Sequence, residues 1–177
     1  MRTKTLLISI LIATLILPGC FLKKSITFYV NDSTETTIPA TIPLGIPFNL
    51  PIPTVSTSAT QDFENNNTTP DLITSVSLDQ LTITITNPPD QNFSFLKEIY
   101  IYIQYPDGSN EKLIASKTNI SSSAKSIDLD VTNENLVPYL QQSGYKIRTK
   151  VKVSQALTHD VNIRIDLRFK VTAQLIK

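Results

Sequence analysis

The 177-residue sequence has one cysteine, one histidine, four glycines and no tryptophan. A single cysteine excludes intrachain disulfides and metal sites built from several thiolates. A single histidine excludes paired-histidine metal motifs, and no Walker-type loop, Gly-x-Ser-x-Gly or dinucleotide fingerprint occurs in the chain. These absences predict a non-enzymatic protein with no cofactor and no bound metal.

A long hydrophobic run is also missing. The N-terminus has Arg2 and Lys4, followed by an apolar run of thirteen residues from Thr5 to Leu17. A spanning helix needs about 20 apolar residues. A basic start followed by a short apolar run is instead typical of a signal peptide.

The run ends in Leu17, Pro18, Gly19 and Cys20. This resembles the bacterial lipobox, in which an aliphatic residue stands three positions before a cysteine and a small residue directly before it. Leu17 and Gly19 match the signal-peptidase recognition positions, and Pro18 departs from the usual small residue. The resemblance implies that Cys20 is the lipidation site, carrying a thioether-linked diacylglyceryl group and further acyl chains such as palmitate.

The lipobox resemblance divides the chain into a signal peptide at 1–19, a tether at 20–25 and a domain at 26–177. Phe21 follows the cysteine where an aspartate would indicate inner-membrane retention, and Lys23 and Lys24 stand where an acidic surface-export run would be. We therefore expect an outer-membrane lipoprotein whose domain faces the periplasm.

The mature chain has little excess charge. Arg2 and Lys4 are two of the 16 basic residues, so their removal leaves 14 against 15 acidic residues. A nearly neutral chain does not favour nucleic-acid binding. The expected partners are the membrane, through the lipid, and an envelope protein or an anionic glycan or lipid.

What the sequence has in abundance is alternation of apolar and polar residues, which predicts strands with one buried and one exposed side. Such strands are predicted at Ile26 to Val30, Leu81 to Thr86, Ile99 to Ile103, Leu113 to Ser116, Ile127 to Val131, Tyr145 to Val153 and Val161 to Ala173. Turn residues separate them at Asn87 to Asp90 and at Pro106 to Ser109. The pattern predicts an all-β fold, a single antiparallel immunoglobulin-like β-sandwich.

One or two short crossover helices are expected. One begins at Pro70 behind Thr69, and the other covers Glu134 to Gln142, interrupted by Pro138. The segment 38–53 holds five of the eleven prolines, so it is not a central strand. It is interpreted either as a spacer or, because of its many aliphatic residues, as a packed edge segment.

Two further resemblances concern the domain. The stretch from Leu81 to Asn92 resembles the strand and Asn-Pro turn of water-stress and late-embryogenesis-like domains, which implies an immunoglobulin-like sandwich without catalysis. The Asn-, Ile-, Thr- and Lys-rich style of the chain resembles small lipid-anchored lipoproteins of Bacteroidetes type.

Four small groups offer chemistry, each with a plainer interpretation. His159 and Asp160 suggest a general base but fit a polar loop. Asp107, Ser109 and Glu111 have calcium-loop spacing, but the intervening Gly108 is typical of a hairpin turn. Asp128 and Asp130 suggest a carboxylate pair or a solvated face, and Tyr100 and Tyr102, with Tyr105 beyond, suggest sugar stacking or a covered outer face.

Basic residues stand out on the last two predicted strands. If these strands form a hairpin, Lys150 faces Arg164, Lys146 faces Arg168 and Arg148 faces Asp166. The candidate anionic-partner face comprises Lys146, Arg148, Lys150, Lys152, Arg164, Arg168 and Lys170. The alternative is that acidic residues on neighbouring strands, such as Glu98 or Asp128, neutralise these charges.

The leading hypothesis is a lipid-anchored, non-enzymatic cell-envelope protein, a binding or structural β-sandwich module. The first alternative is docking of an anionic envelope polymer or lipid on the basic hairpin face. The second is a carboxylate-based hydrolase, which would require two acidic side chains to converge in a pocket.

Overall fold

A computed structural model describes residues 24–176 of the chain. The lipobox, Leu17, Gly19 and Cys20 therefore lie outside the described residues. The strands are β1 (Ser25–Ile38), β2 (Phe48–Asn49), β3 (Thr54–Val55), β4 (Ile73–Asn87), β5 (Leu96–Gln104), β6 (Lys112–Lys117), β7 (Ser126–Asp128), β8 (Asp130–Val131), β9 (Tyr145–Val153) and β10 (Val161–Gln174). The helices are α1 (Ala59–Asn65) and α2 (Val137–Leu140), with single 3-10 turns at Pro70–Leu72 and Phe93–Phe95.

The strands form two sheets. The first sheet has the order β1-β10-β4-β7, and the second has the order β2-β9-β5-β6-β8, with β3 also paired to β9. The strand ladders are antiparallel. The predicted all-β antiparallel sandwich is confirmed.

Alternation places the core between the sheets. In β10 every odd-numbered residue from Val161 to Ala173 is buried, while the polar residues between them face outward. β9 has the same pattern from Tyr145 to Val153. The rings of Tyr145 and Phe169 meet edge to face, with centroids 5.9 Å apart. The aromatic contact therefore joins the two sheets across the core.

The last two strands do not form the predicted hairpin. β9 lies between β5 and the short strands β2 and β3, whereas β10 lies between β1 and β4 in the other sheet. Residues 154–160 carry the chain from one sheet to the other. Each strand has hydrogen-bonded partners on both sides, so neither offers an edge to the other. The predicted pairs of Lys150 with Arg164, Lys146 with Arg168 and Arg148 with Asp166 are wrong for this reason.

The predicted strand from Ile127 to Val131 is divided between the sheets. β7 pairs with β4, opposing Ile127 to Ile83, and β8 pairs with β6, opposing Val131 to Ala115. Leu129 stands between them, is buried, and donates its N–H to Leu81 O at 2.9 Å. The alternating pattern is continuous, but the chain changes sheet at Leu129.

The proline-rich segment runs along β9 at the side of the second sheet. Phe48 opposes Val151, the Leu50 N–H bonds to Thr149 O at 2.9 Å, and Thr54 opposes Lys146. Within the segment, Ile38, Ile42 and Leu50 are buried, whereas Leu44, Ile46 and Ile52 are exposed. The segment therefore packs on the sandwich, and Phe48 and Leu50, which bond to β9, lie between its prolines.

The helices are shorter than the sequence indicated. α2 covers only Val137–Leu140, and Pro138 lies in its first turn, where a missing N–H is tolerated. The helix expected at Pro70 is a single 3-10 turn. α1 was not predicted; it buries Ala59 and Phe63, and the Phe63 ring contacts Phe28 of β1.

Candidate functional site

The basic residues predicted as one face lie on two faces that point in opposite directions. Lys146, Arg148, Lys150 and Lys152 project from β9 on the outer side of the second sheet. Arg164, Arg168 and Lys170 project from β10 on the outer side of the first sheet. The single anionic-partner face is therefore wrong, because the core of the sandwich separates its two halves.

On the second sheet, Arg148 is held by several groups at once. Its guanidinium forms a two-point pair with the Glu111 carboxylate, each contact 2.6 Å long, and donates to Asn49 Oδ1 at 2.7 Å. Its carbon Cζ lies 3.9 Å above the Tyr102 ring. Arg148 holds the pKa of Glu111 below its usual value, although partial burial opposes the shift.

Glu98 neutralises part of the same face, as the alternative interpretation expected. It pairs with Lys152 at 3.4 Å and accepts a hydrogen bond from Tyr100 Oη at 3.2 Å. Burial and this neighbouring carboxylate raise the pKa of Tyr100. Lys150 Nζ lies 5.9 Å from the centre of the Tyr100 ring. The outward tyrosines are therefore associated with cations rather than left as bare stacking rings.

On the first sheet, the two arginines also have acidic partners. Arg164 Nε donates to both oxygens of Asp166 at 2.9 Å, and Arg168 contacts Asp79 at 2.5 Å. Arg168 also lies over the ring of Tyr29, which is half exposed. Four of the seven predicted basic residues thus form ion pairs within the described chain.

The outer side of the first sheet has an open depression, which we call the polar cleft. Its volume is about 580 Å³. Outward side chains from all four strands of the first sheet line it: Asn31, Ser33, Gln80, Thr82, Thr84, Ser126, Arg164, Asp166 and Arg168. Sequence reasoning identified Arg164 and Arg168 but not the cleft, because the pattern did not reveal that β1, β4, β7 and β10 are neighbours.

Asp32 belongs to β1 of the same sheet, but its side chain points to the inner side of the sheet, away from the cleft. Its carboxylate accepts hydrogen bonds from Thr57 Oγ1 at 2.7 Å, the Ser58 N–H at 3.0 Å and Tyr145 Oη at 2.9 Å. Burial, followed by the Asp32 carboxylate, raises the pKa of Tyr145 well above its ordinary value. Asp32 lies on the same side of β1 as Phe28 and Val30. Extending the predicted strand beyond Val30 would therefore have identified Asp32 as a buried carboxylate.

Asp32 and Asp166 do not converge on the cleft. Asp166 opposes Ser33 on the outer side of the sheet, while its neighbour Leu167 opposes Asp32 on the inner side. Adjacent positions of a strand point to opposite faces. The arrangement expected of the hydrolase alternative is therefore not formed by Asp32 and Asp166.

The other candidate residues have hydrogen-bond partners within the described chain. Asp160 accepts from the Ala40 N–H at 2.8 Å, and His159 contacts Thr158. Asp107 accepts from the Ser109 N–H at 2.8 Å, which closes the turn and lowers the Asp107 pKa.

The two aspartates of the divided strand are separated, and the outlying tyrosine is packed. Asp128 accepts from Thr82 at 2.5 Å and belongs to the first sheet, whereas Asp130 lies 3.8 Å from Lys117 in the second. Tyr105 packs against Tyr139 with ring centroids 5.1 Å apart.

Within residues 24–176, no group of three or more histidine, cysteine, aspartate or glutamate side chains is placed to hold a metal ion. No helix in that range is long and apolar enough to cross a membrane.

Comparison with known proteins identifies no family. No protein-family model matches the chain, and no curated protein matches it. Among solved structures, the chain is similar to one titled Desmodium yellow mottle tymovirus, with 12% identity and a TM-score of 0.31 over 100% of this chain and 98% of that chain. A similarity this low carries no argument about function.

Proposed function

We propose that the protein is a lipid-anchored, non-enzymatic β-sandwich of the bacterial cell envelope, attached to the outer membrane through Cys20 and facing the periplasm. Its role is that of a binding or structural module. The observation that carries the proposal is the coincidence of a short apolar run with Leu17, Gly19 and Cys20 at its end.

The position of the first strand limits how far an anchored domain can stand from the membrane. β1 begins at Ser25, and the four steps from Cys20 to Lys24 reach at most about 14 Å when extended. Several acyl chains on one residue provide stable anchoring, at about 0.8 kcal/mol for each buried methylene. A sandwich on so short a tether stays close to the bilayer.

The side-chain partners support a binding or structural role. Asp32, Glu98, Glu111 and Asp166 are each engaged by hydroxyl, amide or cationic groups. General acid or base catalysis needs a carboxyl group directed at a substrate proton. Asp32, Glu98 and Glu111 instead join one strand or loop to another, and Asp166 pairs with Arg164 of its own strand.

Metabolic labelling with palmitate tests the anchor. We expect label in the intact protein and none in the Cys20→Ser variant. The control is the double variant with Cys20→Ser and Ser25→Cys, which keeps one thiol but places it outside the lipobox. Label retained in Cys20→Ser would contradict the anchor. Turnover of any envelope substrate that a single conservative substitution abolishes would contradict the non-enzymatic role.

A further inference from the structure

We propose that the polar cleft binds an uncharged saccharide. The inference deepens the proposed binding role and does not depend on the lipid anchor. It rests on the size of the cleft, the chemistry of its floor and its lack of excess positive charge.

The cleft has the dimensions and rigidity of a ligand site. Its volume of about 580 Å³ lies within the range of about 300–1,000 Å³ that is typical of small-molecule sites. Its floor is a continuous sheet in which β10 is paired along its length with β1 and β4. Sites built on paired strands hold their groups in place better than sites built on loops.

The floor is rich in hydroxyl groups, each able to donate and to accept. Thr84 Oγ1 and Ser126 Oγ lie 3.0 Å apart, and Ser33 has no hydrogen-bond partner for its hydroxyl among the described residues. A sugar presents the same paired donors and acceptors along its edge. Such a floor suits a polar, hydroxylated ligand better than an apolar one.

The central ion pair retains capacity for a ligand. Arg164 engages Asp166 only through Nε in the described chain, so its two terminal amino groups remain available. The side chains of Arg164 and Asp166 are 45% and 39% exposed. An arginine and a carboxylate side by side can donate to one hydroxyl of a diol and accept from the other.

The charges around the cleft favour a neutral ligand over an anionic one. Asp166 offsets Arg164, and Asp79 offsets Arg168. Asp128 adds a negative charge on the same side of the sheet, where it accepts hydrogen bonds from two residues of the cleft floor. Without a net positive field, the cleft has no electrostatic preference for phosphate or sulfate.

The outer side of the second sheet lacks these properties. Arg148 there uses both ends of its guanidinium, on Glu111 and on Asn49, and covers Tyr102. This face supplies a matched control for substitutions made in the cleft.

Affinity electrophoresis of the full chain carrying Cys20→Ser tests the proposal. The gels contain dextran, mannan, galactomannan or xyloglucan as neutral polymers, and alginate or polygalacturonate as acidic ones. We expect retardation in at least one neutral gel. Thr84→Tyr, which fills the floor, should weaken binding by about tenfold or more, a change of about 1.4 kcal/mol. Ser116→Tyr on the second sheet should leave binding unchanged.

A urea unfolding midpoint measured for each variant separates loss of binding from loss of fold. If Thr84→Tyr is unfolded, Asp166→Asn replaces it and should also weaken binding. No retardation in any neutral gel, retardation only in acidic gels, or equal binding by the cleft variants would overturn the proposal. Because the tested chain lacks Cys20, these outcomes leave the lipid anchor untouched, and palmitate labelling decides that separately.

Discussion

At the scale of single residues, Asp32 has the most demanding position in the described chain. It is 8% exposed and stands in the inward phase of β1. A buried charge is tolerated only when hydrogen bonds satisfy it. Three donors do so here, from Thr57, Ser58 and Tyr145. They connect the first sheet to the start of β9 and to the beginning of α1.

Replacement of Asp32 should therefore be costly. Asp32→Ala leaves the Tyr145 hydroxyl and the Ser58 N–H without acceptors, and we expect a loss of about 2 to 4 kcal/mol in the free energy of unfolding. The measurement is urea denaturation followed by circular dichroism. Asp130→Ala is the control, because that side chain is 81% exposed and should cost no more than about 0.5 kcal/mol. Equal midpoints for the two variants would contradict the account.

The pair of Arg148 and Glu111 predicts a pH dependence. Arg148 lowers the folded-state pKa of Glu111 below its ordinary value of 4.5. A lowered carboxyl pKa stabilises the fold above the unfolded pKa, and that stability is lost as pH falls through the folded pKa. We expect Glu111→Gln to destabilise the protein at pH 7, by about 1 kcal/mol or less because the pair is partly exposed and screened.

The difference in unfolding free energy between wild type and Glu111→Gln should shrink as the pH is lowered below about 4.5, the ordinary pKa of the group. Urea midpoints from pH 7 to 3 measure it. In an Arg148→Gln background the same substitution should lose this pH dependence. A difference that persists to the lowest pH would rule out the pair as its cause.

At the scale of elements, the proline-rich segment shows what protects the side of the second sheet. Leu50 enters the core between Phe48 and Pro51, while Ile52 faces outward. Prolines in the segment remove donors that another chain could use to extend the sheet. The segment therefore combines core packing with protection of an edge.

Two alanine substitutions separate the packed segment from a free spacer. Leu50 is 2% exposed and Ile52 is 45% exposed. We expect Leu50→Ala to cost about 2 to 4 kcal/mol through lost contacts and a cavity, and Ile52→Ala to cost less than about 1 kcal/mol. Thermal or urea unfolding measures both. Two equally neutral variants would mean that the segment is a spacer.

The elements differ in how far the sequence predicts them. The bounds of β9, Tyr145–Val153, were predicted in full, because apolar and polar residues alternate there at every position except Thr149. α1 was missed because its polar sequence buries only Ala59 and Phe63. Too few apolar positions remain to produce a helical period.

At the scale of the whole molecule, both ends of the described chain lie together. Ser25 opposes Gln174, and the Leu175 N–H bonds to Lys24 O at 3.0 Å. From this end, the 14 residues of β1 extend about 45 Å at about 3.4 Å per residue. An anchor at Cys20 would therefore place one end of the sandwich at the membrane and the other well away from it.

Two matched cysteine substitutions test this orientation in the acylated protein. Gln142 lies in the connection before β9, near the end that holds Lys24, and Gln155 follows β9 at the opposite end. Both are exposed. A fluorophore on Gln142→Cys should be quenched by spin-labelled lipids in vesicles, and one on Gln155→Cys should not. Equal or reversed quenching would contradict a domain that stands on its N-terminal end.

The sequence by itself determined where the longer strands lie, which side of each is buried and that the chain has no intrachain disulfide. Apolar and polar residues alternate with a period of two because successive side chains point to opposite faces. This alternation can be recognised in the sequence of any strand that has one buried side. The same reasoning covers β10, where every odd position from Val161 to Ala173 is apolar.

Only the tertiary structure decided which strands are neighbours. A buried aliphatic side chain gives the same signal whichever sheet it belongs to, so the pattern did not show that β9 and β10 lie in opposite sheets or that the chain changes sheet at Leu129. The ion pairs, the buried carboxylate of Asp32 and the polar cleft depend on these neighbours, because each is assembled from residues far apart in the chain.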